Sequence, residues 1–149
     1  MNITDIAINW IEKLNQPDST AFSNLFAENG MYVDPSYGLA RRGRELVHLH
    51  HHQWHAAVPD FKAEVERVLV DGSTATILYA GTGTFDGEPL GPGGGKSVQP
   101  TNRPFKARVV IVLDIDENGL VACCTEYYDR SIMPLGEETP YSDDPFAQE

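Results

Sequence analysis

The sequence predicts an α+β fold: three N-terminal helices, then a curved antiparallel sheet that wraps around them. Three observations point there. Residues 3–14 place Ile3, Ile6, Ala7, Trp10, Ile11 and Leu14 at helical spacing. After Pro59 the pattern changes to long strand-like runs. Those runs are joined by turn sequences, Asp71-Gly72 and Glu117-Asn118-Gly119. Helices first and a meander of strands afterwards is an α+β order. A sheet of this kind, curved over helices on its concave side, leaves a cone-shaped hollow open at one end.

Taken in order, the first helix ends where Asn15-Gln16-Pro17-Asp18 breaks the spacing. Asp18 or Ser19 caps a second helix, with Phe22, Leu25 and Phe26 on its apolar side and Asn29-Gly30 as its end. Met31-Tyr32-Val33 reads as a short strand closed by Asp34-Pro35, and residues 36–42 as a polar loop. A third helix runs from about 43 to 57 and is stopped by Pro59. Four long strands follow, over residues 61–70, 73–86, 105–115 and 120–129. A loop rich in glycine and proline spans 87–104. The domain is expected to cover residues 1–136, with an acidic, partly disordered tail at 137–149.

At 149 residues with 41% hydrophobic content, the chain is long enough for one domain with a substantial core. Its net charge of −11 argues against nucleic acid and anionic membrane as partners, because both require a basic face. No apolar run approaches the roughly 20 residues that span a bilayer, and the first residues do not read as a signal peptide. Cys123 and Cys124 are adjacent in a strand and point to opposite faces, so a disulfide between them would be strained. The expected compartment is the cytoplasm.

Two glycine-rich stretches fail as nucleotide motifs. In GPGGGKS the required first glycine falls at Leu90, and prolines at 100 and 104 prevent a following helix. The segment Gly81 to Gly87 misses dinucleotide spacing by one residue. All five histidines, His48, His50, His51, His52 and His55, fall in the third helix. His48/His52 and His51/His55 are i,i+4 pairs, a spacing that can chelate zinc. The pairs lie on neighbouring faces with no cysteine, and the sequence is read as holding no metal.

From Gly43 onward, a series of words resembles the SnoaL-like polyketide cyclases, within the nuclear-transport-factor-like and ketosteroid-isomerase-like superfamily of cone folds. These words are Trp54-His55-Ala56-Ala57-Val58-Pro59-Asp60, Val65, Asp71-Gly72, Gly83-Thr84-Phe85-Asp86-Gly87, Pro100-Thr101-Asn102-Arg103, Gly119 and Asp129. The resemblance covers about residues 5–136 and implies a cystatin-like cone and a cofactor-independent enzyme that closes or isomerises rings by moving protons. The aspartate ending the family's last strand matches Asp129, implying a general acid/base there. The family's histidine in G-T-H-x-G falls at Phe85, so His50 is the candidate imidazole. Ketosteroid isomerases resemble the segment from Trp10 to Pro35. Their base aspartate matches Asp34, their first-helix tyrosine matches Trp10, and their second acid falls at Ile111. Dimerisation through the sheet face is likewise implied by the superfamily.

Read from the residues, Thr125, Tyr127 and Asp129 share one strand face, and Glu126 and Tyr128 the other. The expected catalytic groups are Asp129, Asp34 and His50. The expected substrate contacts are Trp54, Trp10, Tyr127, Phe85 and Arg108. A carboxyl group in an apolar hollow has its pKa raised and suits proton transfer beside a carbonyl. Aromatic walls suit a flat substrate, and His50 or Arg108 would stabilise an oxyanion. The function expected is a cyclase or isomerase of secondary metabolism acting on a polyketide-like polycyclic carbonyl compound. The alternatives are a dehydratase or epoxide hydrolase, which needs more buried carboxylates with an arginine between them, or a non-catalytic dimerisation or binding module. The loop at 87–100 is a candidate gate.

Overall fold

The computed structural model describes residues 2–36, 38–90, 98–129 and 131. The expected tail at 137–149 and residues 91–97 of the candidate gate lie outside these residues. Three helices, α1 (Ile3–Leu14), α2 (Ser19–Ser23) and α3 (Arg44–Ala57), pack against a six-stranded sheet. Its strands are β1 (Phe26–Asp34), β2 (Leu39–Arg42), β3 (Lys62–Asp71), β4 (Thr74–Thr84), β5 (Pro104–Ile115) and β6 (Val121–Tyr128). They run side by side in the order β2-β1-β6-β5-β4-β3. The α+β cone is therefore the fold, with two differences from the sequence reading. None of the described helices is long and apolar enough to cross a membrane.

The first difference lies at residues 26–42. The second helix stops at Ser23, and the chain enters β1 at Phe26 instead of continuing helically to Asn29. The segment expected to be a loop, 36–42, returns as β2, pairing Tyr32 with Arg41 and Asp34 with Leu39. Gly30 explains the early strand. A Cβ there would lie 2.8 Å from the Val121 carbonyl and 2.9 Å from that of Ala27, so only glycine lets β1 kink this closely against β6. The second difference is that the sheet is mixed. β1 runs parallel to β6, while every other neighbouring pair is antiparallel.

Local capping follows the sequence. The Asn2 side chain accepts hydrogen bonds from the N–H groups of Thr4 and Asp5, at 2.8 and 3.3 Å, and Asp18 accepts from Ala21 N–H at 3.0 Å. Asn15, just past α1, acts as a short rung of sheet. Its amide donates to the Ala63 carbonyl at 2.9 Å and accepts from the Ala63 N–H at 2.7 Å. That double bond ties the end of α1 to β3.

The core lies between the helices and the concave face. Trp10, Phe22, Phe26, Ile77, Ile111 and Leu113 fill its centre. A second cluster, Leu39, Ala57, Val58, Phe85 and Phe105, sits beneath the end of α3. Strict alternation along β4 and β5 supplies the inner rows, with Ala75, Ile77, Tyr79 and Gly81 facing Val109, Ile111 and Leu113.

Close packing at the second cluster is testable at Gly83. A Cβ there would run into the Val58 Cγ1 methyl and lie 3.3 Å from the Phe105 ring. Gly83→Ala is expected to cost about 1–3 kcal/mol in urea denaturation, the range for overpacking. Adding Val58→Ala should return part of that loss. A Gly83→Ala protein as stable as wild type would contradict the packing.

Candidate active site

A cavity opens between the concave sheet, α3 and the ends of α1 and α2. Its empty space, counted out into the open mouth, is about 770 Å³. Leu14, Phe22, Leu39, Trp54, Phe61 and Leu90 supply apolar wall. The polar groups are Asp34, Glu126, three tyrosines, Arg41, Gln53, His50 and His51.

Two carboxyl groups meet inside. β1 and β6 run parallel with Val33 beside Thr125, so the next rung sets Asp34 beside Glu126. The two side chains hydrogen-bond each other. The Tyr128 hydroxyl donates to Asp34 Oδ2 at 2.9 Å, and the Tyr79 hydroxyl to Glu126 Oε1 at 3.3 Å. Tyr32 also bonds to Glu126. Burial raises the Glu126 carboxyl well above its ordinary value, and the Asp34 charge raises it further. The bonds from Tyr32 and Tyr79 work against the rise. The direction of the shift favours Glu126 as the member of the pair that holds a proton. Tyr32, Tyr79 and Tyr128 are all raised, chiefly by burial, and remain phenols that donate.

The histidines divide by helix face. His50 turns toward the cavity, its ring centroid 4.4 Å from that of Tyr32. Burial, and then the charge of Arg41, lower its pKa to about 3, so it is a neutral imidazole. His51 faces α1 and α2. Its Nε2 donates to the Lys13 carbonyl at 3.3 Å, which leaves Nδ1 to accept from the Ser19 hydroxyl at 2.7 Å. Burial, and then His55, lower its pKa to about 4. His55 Nε2 donates to the Leu14 carbonyl at 2.7 Å. The i,i+4 pair His51/His55 thus packs with tilted rings, centroids 4.4 Å apart, to hold the end of α1.

Three of the residues expected from sequence line the cavity: Asp34, His50 and Trp54. The others lie elsewhere. Asp129 is exposed, and its Oδ1 accepts from the Ser131 N–H at 2.9 Å and hydroxyl at 2.7 Å. Those bonds lower its pKa and make it a turn residue. Tyr127 is 49% exposed on the convex face. Arg108 lies on that face too, 3.0 Å from Glu66. Phe85 is buried in the second cluster, and Trp10 is buried behind the wall, stacked on Tyr32. The groups missed from sequence are Glu126, Tyr128, Tyr79, Tyr32, Arg41 and Gln53.

The inner face of β6 was expected from the resemblance at Asp129, but the register of the strand sets it otherwise. β5 and β6 pair Ile115 with Val121 but Asp114 with Cys123, so Ala122 is an extra residue in β6. Both Val121 and Cys124 are buried in consequence. Beyond the bulge the even-numbered residues face inward. The usable signal was the partner strand: Glu126 pairs with Ile111, an inward residue of β5.

A SnoaL-like domain model matches residues 7–123, well over half of the chain, and the protein belongs to that family. Among solved structures, a protein with a ketosteroid isomerase-like fold from Catenulispora acidiphila, crystallised with trimethylamine, is 20% identical. The match covers 93% of this chain and 95% of that one, with a TM-score of 0.71. IdmH, a candidate polyketide cyclase from Streptomyces antibioticus, is 21% identical over 89% and 96%, with a TM-score of 0.67. The epoxide hydrolase/cyclase-like enzyme SalBIII, associated with pyran ring formation in the polyether salinomycin, is 18% identical over 87% and 92%, with a TM-score of 0.71. At these identities the likeness establishes the fold. No curated protein matches the chain.

The buried groups fix a pH dependence. His50 and His51 are neutral in the fold and would take up protons on unfolding below about 6.5, so stability falls as pH drops from 6.5 toward 4. Glu126 acts oppositely. It holds a proton in the fold and releases it on unfolding above about 4.5, so its contribution falls as pH rises from there. His51→Gln should flatten the limb between pH 6.5 and 4 by up to about 1.4 kcal/mol per pH unit. Glu126→Gln should steepen it. Urea denaturation across that range measures both slopes.

Proposed function

We propose that this protein is a cofactor-independent cyclase or isomerase that moves protons on a flat, uncharged, carbonyl-bearing small molecule. Polyketide-like polycyclic intermediates of secondary metabolism are the substrate class that fits. The observation carrying this reading is the Asp34–Glu126 carboxyl pair, held by tyrosine hydroxyls inside an otherwise apolar cavity. An acid and a base in contact, shielded from water, suit proton transfer at neutral pH.

Asp34 takes the base role and removes a proton from carbon beside a carbonyl, and the bond's electrons move onto the carbonyl oxygen. Tyr128 holds the Asp34 carboxylate in place. Glu126 carries the proton that is returned at a second position of the conjugated system, and Asp34 then reprotonates Glu126 across their shared hydrogen bond. Trp54 and Phe61, ring centroids 5.4 Å apart and nearly perpendicular, give the substrate an aromatic wall. A cavity left open between the core clusters favours a ligand-binding role over a purely structural one. The convex face, with Leu78, Val110, Val112 and Tyr127, is the surface we assign to a homodimer contact.

Deuterium exchange into 2-tetralone, followed by NMR in heavy water, tests the chemistry. Asp34→Asn should lower the catalysed exchange at least about 100-fold and Glu126→Gln about 10- to 100-fold, the scale of general acid/base catalysis. Asp129→Asn should stay within about twofold of wild type, while quenching of Trp54 fluorescence reports unchanged binding. Full activity in both cavity variants would end the proposal. Val112→Glu should shift the sedimentation of a dimer to that of a monomer.

A second reading is favoured by Arg41 sharing the cavity with both carboxyls: opening of an epoxide by Glu126 as acid, with Asp34 activating an internal hydroxyl. Turnover of a 4,5-epoxy alcohol to a cyclic ether, with no exchange on ketones, would select it.

A further inference from the structure

Arg41 has no place in the proton relay just described, yet it lies in the cavity wall only 7% exposed. Its Nη2 donates to Gln53 Oε1 at 3.1 Å, which joins β2 to α3 and fixes the plane of the guanidinium. Burying a guanidinium forfeits hydration worth several kcal/mol and leaves its charge weakly screened within the cavity. Asp34 is opposite Leu39, and Arg41 is opposite Tyr32. Asp34 and Arg41 are therefore diagonal neighbours on one sheet face, and both line the cavity. One small conjugated ligand can meet both, with its reacting C–H at Asp34 and its carbonyl oxygen near Arg41.

The charge inventory points the same way. His50 and His51 are neutral, leaving Arg41 as the one permanent cation among the described lining residues. Before reaction, Arg41 balances the single negative charge of the carboxyl pair. When Asp34 takes a proton, that charge moves onto the substrate oxygen. The cavity's total is unchanged, and the negative charge ends beside Arg41.

We infer that Arg41, oriented by Gln53, forms an oxyanion subsite that stabilises the enolate or phenolate oxygen of an uncharged substrate. The inference rests on the proposed function and assigns Arg41 a catalytic role and Gln53 a positioning role. The subsite does not require the three tyrosines, whose hydroxyls are committed to the carboxyl pair.

The test uses 2-hydroxyanthraquinone, whose visible absorbance separates phenol from phenolate, bound to the full-length protein. In wild type the bound phenol should ionise at a pH at least one unit lower than in Arg41→Gln, with Arg41→Lys between them. Gln53→Ala should shift ionisation in the same direction by a smaller amount. The methyl ether of the probe cannot ionise, and its affinity should change less than threefold in every variant. Arg67→Gln, an exposed cation outside the cavity, serves as a charge control and should match wild type. If Arg41→Gln does not fold, Arg41→Lys and Gln53→Ala carry the test. No binding by wild type, equal ionisation in wild type and the cavity variants, or equal loss of ether and phenol binding would overturn the inference. A shifted ionisation with no exchange on any ketone would keep the subsite and remove the isomerase reading. Exchange that persists in Arg41→Gln would do the reverse.

Discussion

The parallel rung between β1 and β6 is the contact on which the site depends. It sets Asp34 beside Glu126 beneath helices that keep out water. In water, two carboxyl groups at this distance would both ionise and repel. Here burial makes a second charge too costly, so the pair holds a proton between them. The surrounding hydroxyls then adopt fixed directions. Tyr128 donates to one acid and Tyr79 to the other. A hydrogen-bond network with every hydroxyl directed inward is rigid and holds the two carboxyl groups in fixed positions.

The helices contribute in a different way. α3 carries His50, Gln53 and Trp54 on the cavity side, while His51 and His55 anchor it to α1. One helix thus lines the cavity and closes the cone, and its histidine richness serves packing more than chemistry. The His51 ring stacks 4.5 Å from Phe22 and satisfies both of its nitrogens, which ties α2 into the same arrangement.

Most of the architecture was legible from periodicity. α1, α3 and the long strands appear within a few residues of their expected bounds, because apolar spacing and the turn signals Asp71-Gly72 and Gly119 act locally. Within residues 26–42 the strand at Met31–Val33 was legible, but its start at Phe26, where the partner is the distant β6, and the return as β2 were missed. For the site, Asp34, His50 and Trp54 were named because they sit at sharp local features, a strand end before proline and a helix face. Glu126 and Tyr128 were passed over because the inner face of β6 was taken from the family match at Asp129, whereas a bulge residue, Ala122, inverts the alternation of β6. Nothing local in Val121-Ala122-Cys123-Cys124 announces that inversion. Only the register against β5 reveals it. Arg41 was hidden for a related reason: an arginine in an apparent loop reads as solvated until β2 turns it inward.

The adjacency of the first strand and the last has a consequence during synthesis. Tyr128 and its partner Asp34 are 94 positions apart, with β2, β3, β4 and β5 all made between them. A growing chain can form the helices and the β3–β4 hairpin early, because those contacts are short in sequence. The acid of the pair arrives only with β6. Until then Asp34 stands in a groove with no acidic partner, and β1 presents an open edge. Assembly of the carboxyl pair and closure of the sheet are therefore reached in one late step, and a chain cut short before β6 would lack both together.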